Sequence, residues 1–139
     1  MSTITTDFSR HYAAAERSNP SYQAYQILHL GFTAAPILAG IDKFLHLLTN
    51  WEKYLAPAFA RLSPIPPHSL MLVIGMVEII AGVVVAFKPR IGAYIVAVWL
   101  LGIIINLLVL GDFYDVALRD LGLLLGALAL ARISTAFDK

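Results

Sequence analysis

The chain has 139 residues, 59% of them hydrophobic and 14% charged, with a mean hydropathy of +0.76 and a formal net charge of +1. A soluble domain of this size needs far more polar surface, so the composition requires lipid as its solvent. The small net charge gives no field to draw nucleic acid, and the absence of cysteine excludes disulfides, thiolate metal sites, iron–sulfur clusters and dithiol redox cycling by this chain itself.

Residues 1–21 hold Asp7, Arg10, Arg17 and many hydroxyls with no apolar run, which predicts a polar cytoplasmic tail without a cleavable signal peptide. Phe8, Tyr12 and Ala15 fall at helical spacing and stop at Asn19-Pro20, fitting either a short helix on the membrane surface or a disordered tail. A helix needs about 20 residues to cross a hydrocarbon core of about 30 Å. Four segments meet that length, at about 22–48, 68–87, 91–110 and 116–133. Tyr22 and Tyr25 would anchor one end of the first span and Trp51 and Tyr54 the other, with a kink at Pro36.

Between 49 and 62, Trp51, Tyr54, Leu55, Ala58, Phe59 and Leu62 recur every three or four residues while Glu52, Lys53 and Arg61 face elsewhere. That pattern predicts an interfacial amphipathic helix, opened by a Thr49/Glu52 capping box and open to division at Pro57. Ser63-Pro64-Ile65-Pro66-Pro67 reads as a stiff linker, Lys88-Pro89-Arg90 as a tight basic turn, and 111–115 as an acidic loop. The predicted fold class is therefore all-α: an integral membrane four-helix bundle with one extra interfacial helix between helices one and two, and a tail at 134–139. Placing both termini in the cytoplasm puts Arg10, Arg17, Lys88, Arg90, Arg132 and Lys139 inside against Lys43, Lys53, Arg61 and Arg119 outside, the arrangement the positive-inside rule favours.

In that orientation the polar groups gather in the outer half of the bundle: Asp42, Lys43 and His46 on helix one, Glu78 on helix two, Asn106 on helix three, Arg119 and Asp120 on helix four. Small residues share their faces, including Gly31, Ala35, Ala39, Gly75, Gly82, Gly102, Gly122 and Gly126, so these faces should point at one another. One central polar cluster is the expectation. Glu78 lies near the middle of its span, where an unpaired carboxylate costs about 2.5 kcal/mol or more, so it must be paired or protonated. Its predicted partners are Lys43 and Arg119, with Asp42, Asp115 and Asp120 balancing the remaining base. Such a cluster either receives a polar head group or relays a proton, or it is an ion-pair network that fixes helix register.

Other patterns are weaker. Asp42 and His46 supply too few ligands for a metal site and read as a hydrogen-bonded pair, so no metal is predicted. His46 and His68 lack the second pair and flanking pattern of a haem site. His29 reads as a helix-packing or interfacial histidine, Trp99 as a lipid-facing or bundle-packing residue rather than a contact with a partner subunit, and Gly122-x-x-x-Gly126 as a close contact within the bundle or with another chain. No nucleophile elbow or nucleotide fingerprint occurs.

Gly40-Ile41-Asp42-Lys43-Phe44, Glu78 followed by Gly82, and Arg119-Asp120 occur in an order and spacing that resembles the DoxX family of small bacterial membrane proteins, over about residues 25–133. The resemblance implies a four-helix protein of the bacterial inner membrane, a quinone-linked or redox-complex role, and Lys43, Glu78, Arg119 and Asp120 as the matching polar positions. It supplies no reaction, and a chain without a cofactor motif of its own needs a partner for electron transfer. Two functions follow as expectations. One is a small membrane subunit of a redox or respiratory complex whose polar cluster is reached by quinone or lipid. The other is a non-catalytic accessory subunit packed against a larger membrane complex.

Overall fold

The computed structural model describes residues 2–137, except for the side chains of Ser2, Thr3, Tyr12, Ala13, Ala14 and Glu16. The Tyr12 side chain, expected on a surface helix, and Lys139, counted among the cytoplasmic charges, fall outside the described residues. The described chain is all helical: α1 (Ser2–Ser18), α2 (Pro20–Leu45), a 3-10 turn (Trp51–Tyr54), α3 (Pro57–Leu62), α4 (Pro67–Phe87), α5 (Pro89–Leu110) and α6 (Tyr114–Phe137).

Prolines set most of these starts. Pro20, Pro57, Pro67 and Pro89 each stand in the first turn of a helix, where the missing N–H has no partner to lose and the fixed φ suits the helix. The Asn19 side chain accepts from the Ser21 N–H and caps α2, which is why the chain breaks there between two helices. α2 runs on through Pro36 to a left-handed His46 cap, and α5 ends on Gly111 at φ 77°. Ile4 and Phe8, four residues apart on α1, are both exposed.

α2 packs chiefly on α4 and α5 on α6, and α4–α5 and α2–α6 contacts join the two pairs. The turn between α4 and α5 is as short as it can be. A Cβ at Gly92 would lie 2.5 Å from the Val85 backbone, so α5 can fold back against α4 only because position 92 has no side chain. The core beside this turn holds Ala81, Val85, Ala93, Val96, Ala97, Leu100, Ala127, Leu130 and Ala131, with Tyr25, Leu28 and Phe32 of α2 packed over it. Its abundance of alanine lets the helices approach closely.

The all-α class stands, but the architecture of four spans and one interfacial helix does not. Three helices, α2, α4 and α5, are long and apolar enough to cross a membrane. The expected fourth, α6, is not counted among them, because Arg119, Asp120 and Arg132 divide its apolar sequence. The charge-free residues 121–131 would rise only about 16 Å at 1.5 Å per residue, against a core of about 30 Å. The expected interfacial helix is not one helix but two pieces, the 3-10 turn and α3, separated by Leu55-Ala56 in the division that Pro57 left open, and the amino-terminal segment takes the helical one of its two expected forms. Pro57 cannot donate within a continuous helix, and the turn's cap is Asn50, whose side chain accepts from Glu52 N–H, rather than Thr49.

Candidate functional site

α2 and α4 run antiparallel and cross closely at Gly40 and Gly75. Helix side chains lean toward the amino-terminal end of their own helix, so Lys43 of α2 and Glu78 of α4 lean toward each other across this crossing. The Lys43 ammonium donates to Glu78 Oε2 at 2.6 Å, with side-chain exposures of only 4% and 9%. Trp99 of α5 donates its indole N–H to Glu78 Oε1 at 3.3 Å, so both carboxylate oxygens are engaged.

Asp42, next to Lys43, does different work. Its carboxylate accepts from the Leu47 N–H at 2.9 Å, from the Leu48 N–H at 3.0 Å and from the Trp51 indole at 2.8 Å. These are amides released where α2 ends, and the aspartate gathers them into a turn. The Trp51 ring is thereby held under the Lys43 ammonium, 3.9 Å from the ring centroid, within cation–π range. One connected group results: Asp42, Lys43, Trp51, Glu78 and Trp99.

Asn106 braces the same end of the protein. Its side-chain oxygen accepts from the Ala56 N–H at 2.8 Å and its amide donates to the Tyr54 carbonyl, which ties the 3-10 turn to α5. Arg119 is not a partner of Glu78. It turns to its neighbour Asp120, with contacts of 3.1 and 3.2 Å to Oδ1, and its own side chain is 63% exposed. His46 stacks on His68 with ring centroids 6.0 Å apart, and His68 meets Glu52 at 2.8 Å. Of the predicted site residues, Asp42, Lys43 and Glu78 are therefore joined. Asn106 braces the adjoining loop, while His46 and the Arg119–Asp120 pair make contacts of their own. Among the described residues no group of three or more His, Asp or Glu side chains is placed to hold a metal ion.

Two residues of the joined group were read differently in the sequence. Trp51 had been assigned to the interface and Trp99 to lipid or helix packing, yet each gives its indole N–H to a buried carboxylate. A tryptophan in a charge-free span is itself a signal, since a buried indole N–H normally finds an acceptor and Glu78 offers one. His29 is more than a packing residue: its Nε2 lies 2.8 Å from the Val85 carbonyl and 3.2 Å from that of Ala86. Four residues beyond Val85 stands Pro89, which has no N–H to give, so the carbonyl is served from α2 instead. Gly126 lies against the Phe32 ring, whereas a Cβ on Gly122 would meet nothing within 4 Å.

These observations define an all-α, multi-pass membrane protein with a buried charge pair between two of its spans. Comparison with models of protein families, with characterised proteins and with solved structures finds no match to the chain.

Proposed function

We propose that this chain is a small accessory membrane subunit of the DoxX kind, which works by associating within the bilayer with a larger redox complex. In this reading the Lys43–Glu78 pair is the clamp that fixes α2 against α4. The observation that carries it is the closure of the pair. Both side chains are buried, both carboxylate oxygens are engaged, and no buried side-chain polar atom among the described residues lacks a hydrogen bond. A group already satisfied by its own fold is poorly disposed to receive a quinone head group, and well disposed to hold a rigid surface for a partner.

The test is purification in a mild detergent followed by intact-complex mass spectrometry. Recovery of a redox subunit in fixed ratio to this chain is the expected result. Recovery of the chain with bulk lipid alone, from membranes in which it is abundant, would sink the proposal.

A further inference from the structure

α2 carries a second polar feature, far from the Lys43–Glu78 clamp. Gln26 and Thr33 stand seven residues apart, two helical turns, so they fall on one face of the helix with Leu30 between them. With His29 and with Ala86 of α4 they line a shallow groove. Gln26 is exposed, and Leu30 and neighbouring Ile27 are 73% and 71% exposed. Beyond Thr33 the same face closes on α4, where a Cβ on Gly82 would lie 2.5 Å from the Ile37 side chain and 2.8 Å from the Thr33 carbonyl oxygen.

The open part of the face has hydrogen-bonding capacity that the chain does not use. Among the described residues, neither the Gln26 amide nor the Thr33 hydroxyl makes a hydrogen bond. His29 gives its Nε2 proton to the α4 carbonyls, which leaves Nδ1 as an acceptor without a donor. These groups stand on a helix long and apolar enough to cross a membrane, where water does not supply the missing partners and unmatched polar groups are costly. A second helix laid against this face would supply them.

We infer that this face of α2 is the contact between two copies of the chain, packed α2 against α2 about a two-fold axis. Copies inserted into one bilayer share an orientation, so the axis stands normal to the membrane and the two helices run parallel. Each residue then meets its own counterpart. Such a contact requires side chains that are their own complements, and glutamine and threonine qualify because each both donates and accepts. One N–H of the Gln26 amide reaches the oxygen of its counterpart, and the other is left for the free Nδ1 of the partner's His29. The interval of seven fits as well, since parallel helices wind together with a repeat of seven residues, which returns Gln26 and Thr33 to the same position of the seam with Leu30 between them. Like charges would repel across a two-fold axis, and the groove is lined by no lysine, arginine, aspartate or glutamate. A partner of different sequence has no need of self-complementary side chains. The inference does not rest on a redox partner, because both halves of the contact belong to this chain.

The chain has no cysteine, so a single introduced one reports on its own surroundings. In the membranes of the cells that express it, full-length Leu30→Cys treated with copper phenanthroline should form a disulfide-linked dimer. Ala35→Cys, on another side of α2, and Val98→Cys, on exposed α5 surface, should not. Energy transfer between copies labelled at an added carboxyl-terminal cysteine, followed against the protein-to-lipid ratio in phosphatidylcholine vesicles, then measures the association. The double variant Gln26→Leu/Thr33→Val should need a ratio about tenfold higher or more for half-association, a loss of about 1.4 kcal/mol, whereas Thr33→Ser, which keeps the hydroxyl, should match the wild type. Should the double variant melt below the wild type at dilutions where both are monomeric, Gln26→Leu alone must still weaken association. Equal cross-linking from all three positions is random collision and overturns the assignment. So does a Leu30→Cys chain that stays monomeric, or unchanged association in the groove variants.

Discussion

Gly40 and Gly75 face each other reciprocally: a Cβ on Gly40 would lie 2.5 Å from the Gly75 carbonyl oxygen, and one on Gly75 would lie 2.8 Å from that of Gly40. Backbone oxygens at a helix crossing cannot step aside. The missing side chains let α2 and α4 approach closely enough for Lys43 to reach Glu78 at 2.6 Å. Gly40→Val should therefore push the helices apart and cost about 1–3 kcal/mol or more. Thermal unfolding in detergent micelles reads this as a lowered midpoint. Gly31→Ala is the control, because a Cβ there meets nothing within 4 Å; its midpoint should equal or slightly exceed the wild type's, since alanine favours the helix over glycine by about 0.5–1 kcal/mol.

The buried pair predicts non-additive substitutions. Lys43→Met leaves Glu78 without its cation, and Glu78→Leu leaves Lys43 without its anion; each should cost about 3–5 kcal/mol. Removing both exchanges an ion pair for apolar contact and should cost much less than the sum. Unfolding free energies of the two single variants and the double variant measure the coupling. Simple additivity would mean that the 2.6 Å contact contributes nothing to holding the helices.

Asn106→Leu removes two hydrogen bonds to the segment around Tyr54 and Ala56 and leaves a backbone N–H and a carbonyl without partners. A loss of about 1–3 kcal/mol in local stability corresponds to a rise of roughly fivefold to 150-fold in the open population. Trypsin should then cut after Lys53 at least about fivefold faster than in the wild type. Equal cleavage rates would show that the Tyr54–Phe113 ring contact holds the turn without Asn106.

Asp42→Ala should release the Trp51 indole and the amides of Leu47 and Leu48 together. In a Trp99→Phe background the remaining emission belongs to Trp51 alone, since the chain has two tryptophans. Its emission should move to longer wavelength and become more accessible to acrylamide. An unshifted spectrum would place the hold on Trp51 in the Lys43 contact rather than in the carboxylate.

The membrane character was legible in the apolar runs of α4 and α5, because runs of that length have no other solvent. The need to pair Glu78 was equally legible, since charge in hydrocarbon demands a partner whatever the fold. Choosing between Lys43 and Arg119 was not, for both bases lie at sequence distances that say nothing about which helix stands beside α4. Helix packing decides that: α4 lies against α2, and Arg119 turns to Asp120. The fourth span was overread because the leucines and alanines of α6 outweigh its charges in a composition average, whereas crossing the bilayer depends on the uninterrupted length between charges.

By itself the sequence determined that the chain is helical and multi-pass and that Glu78 must be paired or protonated, because each follows from local composition or from the cost of desolvation. Only the tertiary structure decided that Trp51 and Trp99 complete the hydrogen bonding of Asp42 and Glu78, and that His29 serves the carbonyl Pro89 cannot. Those relations join residues on different helices, and only the packing of the helices brings their donors and acceptors within hydrogen-bonding distance.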